Sequence, residues 1–262
     1  MKKKLCILTS CRADYDLLRN LIRIFLKSKQ IKLSLIITGQ HLSKYYGNTS
    51  KMILKDFKKI SKTIDINIGK SDQKNIANSV SIGVRKISRY FRLNKPSLLI
   101  LLGDRYEILS AGVSAFLNQI PIAHVHGGEI TKGSYDDTVR HSITKLSHYH
   151  FVSHRKYKKR VIQLGENPKT VFNVGSLGAE NVANTTFFSK KILEKKLKIK
   201  FEKKIFLITI NSFIEDKISI KELLKNLFRV LNKFKKVSFI FTMSNSDLKS
   251  DLINKTIKYF CK

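Results

Sequence analysis

The sequence predicts an α/β protein built on a doubly wound, Rossmann-like parallel sheet, followed by a second and smaller α/β unit. The first observation is that short apolar runs alternate regularly with longer segments of helical spacing. The second is that glycine and polar residues come directly after those runs, where the ligand-binding loops of a parallel sheet emerge. The third is size, because 262 residues, 42% of them hydrophobic, can bury one large core or two modest ones.

The first unit is predicted to extend over residues 1–175. Its apolar runs predict seven strands, namely Leu5–Ser10, Leu33–Thr38, Thr63–Ile68, Ser97–Leu102, Ile120–Val125, Tyr149–Ser153 and Thr170–Val174. Helical spacing predicts helices at Tyr15–Phe25, Asn75–Phe91 and Glu107–Leu117. The basic start of the chain resembles a signal peptide only faintly, because its apolar stretch is short and Arg12 follows at once, so we interpret it as the first strand.

The second unit is predicted to extend over residues 176–262. Its pattern gives a Lys-rich helix and then an alternating series, namely Lys190–Lys200, strand Lys204–Ile210, helix Ile220–Phe234, strand Val237–Thr242 and helix Leu248–Phe260. No glycine follows Gly178, although a nucleotide-binding domain normally needs glycine where its backbone approaches phosphate. We therefore expect this unit to be an incomplete Rossmann-like domain.

The net charge of +32 favours anionic partners, but its distribution argues against nucleic acid. The lysines are spread along the whole chain and accompany no nucleic-acid-binding motif, so we interpret them mainly as solvated surface. No apolar run reaches the roughly 18 residues that span a bilayer. The three cysteines form no C-x-x-C pair, which favours a reducing cytoplasm. A nucleic-acid binder stays open as an alternative.

Two candidate sites follow the first two strands. Arg12 and Asp14 open the first helix, where an arginine can bind a phosphate or carboxylate with two hydrogen bonds. Gly39 and His41 follow the second strand, and the imidazole can face the same cleft. The alternative is structural, with Asp14 stabilised by the helix dipole and His41 an ordinary loop histidine.

The third candidate site follows the most apolar strand. Asp104 and Arg105 form a charge pair at the start of a helix, which is costly after a buried strand unless the charges are used or satisfied. An ordinary helix cap with a neighbouring salt-bridged arginine is the alternative.

The fourth candidate site is the densest. His126 and Glu129 flank two adjacent glycines, and Asp136 and Arg140 follow within one predicted helix. Imidazoles and carboxylates in different surroundings are what proton abstraction and proton return require. Metal binding is the rival, but there is no H-E-x-x-H pattern and no cysteine ligand set. A G-x-G-x-x-G dinucleotide motif is also absent, and a purely structural turn remains possible.

Together these motifs resemble the UDP-N-acetylglucosamine 2-epimerase family, in its UDP-hydrolysing branch of sialic- and legionaminic-acid synthesis. The matching segments are Cys11–Tyr15, Gly39–Leu42, Tyr46–Thr49, Gly103–Glu107, His126–Glu129, Asp136–Asp137, Arg140–Lys145 and Ser147–His150. The resemblance covers residues 1 to about 178 and then thins to scattered positions. It implies two Rossmann-like domains facing across a cleft, as in GT-B glycosyltransferases.

The resemblance also implies a reaction and roles for residues. Family members take the C2 proton of a UDP-sugar, expel UDP, and add water with inversion at C2, using no metal or nicotinamide. Asp104, Glu129 and Asp136 are then the acid–base candidates, and His126, which falls where some members carry Glu, joins them. The remaining predicted residues bind the substrate, namely Arg12, Asp14, His41, Arg105, Arg140 and Asn245.

Two departures from the family concern the second unit. The family usually has a His-Pro pair after the first strand of this domain, where this chain has Asn211 and Ser212. The loop that grips the diphosphate in the family would lie beyond Lys262, so we expect weak turnover or none from these 262 residues alone. A GT-B glycosyltransferase is the alternative function, and the resemblance makes a homodimer possible.

Overall fold

The computed structural model describes residues 2–69, 72–210, 219–244 and 250–261. Contacts divide the chain into two compact units, of which the first contains nearly all residues up to Ala183 and the second contains Asp72 and the residues from Asn184 onward. The predicted boundary after residue 175 stays a prediction. Among the helices of the described ranges, none combines the length and apolarity that crossing a membrane requires.

The first unit is built on one seven-stranded parallel sheet. Its strands are β1 (Lys3–Thr9), β2 (Ile31–Ile37), β3 (Ser61–Thr63), β4 (Leu98–Leu102), β5 (Ile122–Val125), β6 (Tyr149–Val152) and β7 (Val171–Asn173). They lie in the order β3-β2-β1-β4-β5-β6-β7, and every neighbouring pair is parallel. The chain thus extends the sheet first in one direction from β1 and then in the other from β4, which confirms the predicted doubly wound class.

Seven helices connect and follow these strands. They are α1 (Arg12–Lys27), α2 (Ser50–Phe57), α3 (Gln73–Asn94), α4 (Tyr106–Leu117), α5 (Tyr135–Leu146), α6 (Arg155–Gln163) and α7 (Leu177–Ala183). The three helices predicted from spacing correspond to α1, α3 and α4. The prediction did not include α2, α6 or α7, which are short and give only a turn or two of apolar periodicity.

Alternate residues of each strand face opposite sides of the sheet, and this alternation builds two cores. Cys6 and Leu8 of β1 belong to the core that contains α3 and α4 residues, whereas Leu5 and Ile7 belong to the core on the side of α1. Both cores consist mainly of buried aliphatic side chains, with Phe91 in one core and Tyr15 and Phe57 in the other, as a sheet covered on two faces requires.

The prediction of the third strand was largely wrong, because β3 ends at Thr63, the residue at which the predicted strand begins. The main-chain N–H of Ile64 still donates to Ile37 O at 2.9 Å, and Ile64 and Ile66 are buried. Asn67 then adopts a φ of 57° and its N–H donates to the Asp65 carboxylate. This turn removes the segment from the ladder, although its apolar residues still pack into the core.

The second unit contains a two-stranded parallel sheet in its described part. Its elements are α8 (Lys190–Leu197), β8 (Lys204–Ile208), α9 (Ile220–Leu231), β9 (Val237–Phe241) and α10 (Ser250–Phe260). Leu224 of α9 and Ile253 of α10 are fully buried in one small core, where the rings of Phe228 and Phe260 stack at 4.1 Å. Ile205 and Leu207 of β8 are exposed, so this unit buries far less apolar surface than the first.

Candidate active site

The candidate site lies at the carboxyl edge of the first unit's sheet, where the strand order reverses between β1 and β4. The loops after β1, β2, β4, β5 and β6 all emerge at this edge. In open parallel sheets this is the position at which ligands bind. Three of the four predicted site segments directly follow β1, β2 or β4, and the fourth runs from the end of β5 into α5.

Two glycines bring the loop after β5 close to its neighbours. Gly128 has a φ of 76°, and a Cβ there would lie 2.7 Å from Tyr157 O. A Cβ on Gly127 would lie 3.0 Å from His124 Nδ1. Only glycine fits both the backbone conformation and the space at position 128, which holds His126 and Glu129 against the sheet edge.

Asp14 is the centre of a buried hydrogen-bond network at the end of β1. Its carboxylate accepts hydrogen bonds from Ser10 N and Ser10 Oγ, each at 2.9 Å, and from Cys11 N at 3.1 Å. The Thr9 hydroxyl donates to the same carboxylate. Asp14 therefore satisfies free N–H groups at the start of α1, which is a structural role of the kind that the alternative interpretation gave it, although through hydrogen bonds as well as through the helix dipole.

His41 completes this network from the loop after β2. Its ring is fully buried, with Nε2 3.0 Å from Thr9 Oγ1 and Nδ1 2.6 Å from Thr49 Oγ1. Nε2 also lies 3.9 Å from Asp14 Oδ1. We call the group of Thr9, Ser10, Asp14, His41 and Thr49 the closed cluster, because its titratable members are buried and are connected through the Thr9 hydroxyl.

Arg12 differs from both of these neighbours. It is exposed at the first turn of α1 and makes no hydrogen bond within the described ranges. It lies near Asp16, where burial raises the pKa of the carboxyl and the charge of Arg12 opposes that rise. Arg12 thus keeps its guanidinium available for an anionic group, whereas direct binding by Asp14 or His41 stays a prediction.

Arg140 of α5 ties together the loops after β4 and β5. Its side chain is buried and forms an ion pair with Asp104. Nη1 donates to Glu129 O at 2.9 Å, and Nη2 donates to Thr131 Oγ1 at 3.1 Å. Asp137 lies 3.4 Å from Nη1. The segments that carry Asp104 and Glu129 therefore converge on one cation.

Glu129 accepts two further hydrogen bonds through one oxygen. Oε1 accepts from His126 Nδ1 at 2.9 Å and from Ser153 Oγ at 2.6 Å. Burial alone would raise the pKa of Glu129, but these two hydrogen bonds and the charges of His126 and Arg140 hold it below its usual range. Glu129 is therefore ionised at neutral pH.

These contacts define an open cluster of Asp104, His126, Glu129, Arg140 and Ser153. Two of its carboxylates remain partly accessible, since Asp104 is 25% and Glu129 is 29% exposed. His126 has a φ of 65°, which is unusual for a residue other than glycine. Its Nε2 is shielded from solvent and has no hydrogen-bond partner in the described part of the chain.

Arg105 does not pair with the aspartate beside it. Its Nε donates to Glu107 Oε2 at 3.1 Å, and both residues are buried. The positive charge next to Asp104 comes instead from Arg140, 36 residues later in the chain. The expected positive charge beside Asp104 is present, but Arg140 provides it instead of Arg105. The predicted contact between Arg105 and substrate stays a prediction.

Asp136 lies on the first turn of α5, next to the residue that contacts Arg140. It is partly buried, and its N–H donates to Ser134 Oγ at 3.2 Å, which caps the helix. Of the predicted residues, Arg140 contacts Asp104 and the main chain of Glu129, and Glu129 contacts His126, whereas Asp136 lies one turn of α5 before Arg140. Asn245 lies outside the described residues, as do Asn211 and Ser212.

Two further histidines near the site are structural. His124 of β5 is fully buried, with Nε2 2.8 Å from Gly103 O and Nδ1 3.2 Å from Thr144 Oγ1. Burial lowers the pKa of His124 to about 3, so the ring is neutral. His150 of β6 is buried against Glu166, and burial lowers its pKa as well.

The sequence prediction missed Ser153. Ser153 directly follows β6, so its position at the carboxyl edge was the available signal, but a single serine is too common to be selected on that ground. Within the described residues, no three His, Cys, Asp or Glu side chains converge as metal ligands do. The prediction of a metal-free, nicotinamide-free reaction stays a prediction.

A doubly wound parallel sheet with acid–base side chains at its switch-point edge defines an α/β enzyme of the Rossmann-like class. A family model described as UDP-N-acetylglucosamine 2-epimerase matches residues 25–262. The chain belongs to this family, which confirms the resemblance and makes it a sugar-nucleotide 2-epimerase by family.

Curated relatives match along nearly the whole chain. The GDP/UDP-N,N'-diacetylbacillosamine 2-epimerase (hydrolyzing) of Campylobacter jejuni is 42% identical over 261 residues, which are 100% of this chain and 68% of the relative. Polysialic acid biosynthesis protein P7 of Escherichia coli is 40% identical over 99% of this chain and 66% of its own length. The chain spans about two thirds of the length of these relatives.

Solved structures share the fold. The UDP-GlcNAc 2-epimerase of Neisseria meningitidis bound to UDP-GlcNAc aligns with a TM-score of 0.74 at 21% identity, covering 99% of this chain and 69% of that one. The Methanocaldococcus jannaschii enzyme in complex with UDP-GlcNAc and UDP gives 0.75 at 18% identity, with 98% and 70% covered. The predicted GT-B-like, Rossmann-like α/β class is confirmed.

Proposed function

We propose that this chain carries the acid–base machinery of a hydrolysing 2-epimerase that converts a UDP-linked N-acetylated amino sugar to the free 2-epimer and UDP. The observation that carries the proposal is the open cluster. It places two partly exposed carboxylates and an imidazole around one buried arginine, at the sheet edge where such folds bind ligands.

The reaction requires proton transfer at C2 and departure of a diphosphate from C1. A base removes the C2 proton, the C–H electrons form the C1–C2 double bond, and UDP leaves with the C1–O electron pair. Water then adds across that bond, with oxygen at C1 and hydrogen at C2 on the opposite face. Asp104, Glu129, Asp136 and His126 are the proposed acid–base groups, because neighbouring groups of different type can take and return protons.

The leaving diphosphate needs positive charge, and Arg12 is the proposed source within the first unit. Its guanidinium is exposed at the end of β1. Among possible substrates, a 2,4-diacetamido sugar is our first choice and N-acetylglucosamine the second, because two relatives at 42% and 32% identity are named diacetylbacillosamine 2-epimerases. The product class then suits nonulosonic acid synthesis.

The test is turnover in deuterated water. We expect turnover by the purified protein, however slow, to release UDP together with a free sugar that is inverted at C2 and carries deuterium there. UDP release without deuterium at C2 would indicate simple hydrolysis, and a requirement for an acceptor would indicate a glycosyltransferase. Either result, or the absence of both UDP release and UDP-sugar binding, overturns the proposal.

Further expectations concern the cellular compartment, the oligomeric state and the partners of the protein. A reducing cytoplasm is consistent with three free cysteines, of which Cys6 and Cys11 are buried. Burial raises the pKa of Cys6 to about 12, so this thiol is inert. The family resemblance suggests a homodimer, which light scattering of the purified protein tests directly. Binding of nucleic acid or of a membrane surface is not expected.

A further inference from the structure

The open cluster contains one polar atom whose situation the acid–base proposal does not explain. His126 Nε2 is shielded from solvent and lacks a hydrogen-bond partner in the ranges that the structure describes. Buried polar atoms are nearly always paired, so an unpaired one at a candidate site indicates a partner that arrives with a ligand. The strained φ of His126 supports this interpretation, because such backbone is retained mainly at functional sites.

The other ring nitrogen determines what Nε2 can do. Nδ1 lies 2.9 Å from Glu129 Oε1, and an ionised carboxylate can only accept a hydrogen bond. Nδ1 must therefore carry the hydrogen. In the neutral ring, Nε2 then has a lone pair and no hydrogen, which is the state of a proton acceptor.

Ser153 fixes the carboxylate that fixes the ring. Its hydroxyl donates to the same Oε1 at 2.6 Å, from the end of β6. The loop that holds Glu129 is secured further by Arg140 of α5, at Glu129 O, and by Arg160 of α6, at Gly128 O. The main chain of the loop is thus held from two neighbouring helices, and the carboxylate itself is held by Ser153 as well as by the histidine.

We propose that His126 Nε2 accepts the C2 proton of the bound sugar and that Ser153 is a positioning residue that acts on it through Glu129. This inference rests on the proposed function. It changes the role of Glu129, which orients and stabilises the protonated ring rather than contacting C2 itself. The proton passes from C2 to Nε2, the C–H electrons enter the C1–C2 bond, and UDP leaves with the C1–O pair.

The first test does not depend on turnover. Nitrogen-15 correlation spectra of the histidine side chains, with the His126 signals assigned by the variant His126→Gln, report which ring nitrogen carries hydrogen. We expect the Nδ1–H form in the wild-type protein and a partial loss of that form in Ser153→Ala, because the carboxylate that accepts the hydrogen is then less firmly held. Ser153→Thr, which keeps the hydroxyl, should restore it. An Nε2–H form in the wild-type protein overturns the inference.

The second test is kinetic and uses the UDP-sugar that is turned over. Ser153→Ala should lower kcat about tenfold with little change in KM, because the hydroxyl orients the base and does not bind substrate. The acid limb of the kcat/KM profile should move to higher pH, since the Glu129 carboxylate loses a donor and then stabilises the protonated form of the proposed base more strongly. Ser153→Thr should return both quantities toward wild type.

A matched control separates positioning from general damage. Ser147→Ala removes a buried hydroxyl that donates to Ile143 O on α5 and touches no member of the open cluster. It should leave kcat and the pH profile unchanged. If Ser153→Ala behaves like Ser147→Ala in an active protein, the inference is wrong. If the wild-type protein shows the expected tautomer and Ser153→Ala disturbs it, but the protein neither releases UDP nor binds the UDP-sugar, the proposed function fails while the positioning by Ser153 stands.

Discussion

The closed cluster and the open cluster lie at the same edge of one sheet, yet they satisfy their polar groups in different ways. In the closed cluster, Asp14 and His41 are buried and every contact that defines the group is internal. In the open cluster, Asp104 and Glu129 remain partly exposed, and His126 Nε2 has no partner among the described residues. Titratable residues after a strand therefore do not by themselves make a ligand-binding site. Polar atoms that are partly exposed or lack a hydrogen-bond partner within the protein are the better indicator.

The variant Asp104→Asn should reduce turnover more than any other variant considered. A smaller effect would contradict the distinction between the open and the closed cluster. The amide removes a proton-transfer group and the charge that pairs with Arg140. We expect turnover of the UDP-sugar to fall by about 10²-fold or more. Asp65→Asn, in the loop after β3 and in neither cluster, is the control. Equal activity of the two variants would show that the open cluster is not the reaction centre.

The variant Asp14→Asn should affect stability rather than chemistry. It replaces a buried carboxylate that accepts several hydrogen bonds at the start of α1. We expect the free energy of unfolding, measured in urea, to fall by about 2–3 kcal/mol. Turnover by the folded fraction should change less than in Asp104→Asn. A larger loss of turnover than of stability would move Asp14 into the substrate site.

The variant Gly128→Ala tests the turn that presents the open cluster. The added Cβ would lie 2.7 Å from Tyr157 O in a residue with a φ of 76°. We expect a loss of about 1–3 kcal/mol in urea unfolding, together with slower turnover, because the loop of Glu129 must shift. Gly47→Ala, where φ is 90° but a Cβ meets nothing within 4 Å, isolates the backbone strain. Equal losses in both variants would contradict the role of close packing.

The neutral ring of His124 should make the first unit sensitive to acid. Its pKa is lowered from 6.5 to about 3 by burial, so between these values the unfolded chain binds a proton that the folded chain does not. Stability should therefore fall as the pH decreases through this range, by up to about 1.4 kcal/mol per pH unit from this residue.

Unfolding in urea at several pH values measures this slope. Replacing His124 with Gln should make the pH dependence shallower, although the overall stability also drops. An unchanged slope in that variant would show that the acid sensitivity arises elsewhere, for example at Glu129, whose lowered pKa also makes stability fall with decreasing pH.

Local sequence determined most of the fold and part of the candidate site. Continuous apolar runs such as Leu98–Leu102 and helical spacing such as that of Gln73–Asn94 depend on neighbours in the chain, so their elements could be predicted. The same order of elements places Asp104 and Glu129 at one edge, because the carboxyl ends of parallel strands coincide. The length of β3 could not be predicted, since it depends on a turn at Asn67 that takes Ile66 out of the ladder.

Only the tertiary structure decided which charges meet. Arg105 is adjacent to Asp104 in sequence but binds Glu107, whereas Arg140 reaches Asp104 from α5. Ser153 reaches Glu129 in the same way, from the next strand of the sheet. A buried charged side chain without a hydrogen-bond partner costs free energy, so each of these groups pairs with whichever partner the fold brings close, even one that is distant in sequence. The sequence alone therefore defined the edge and its chemistry, and the packing of α5 and β6 against β5 defined the cluster.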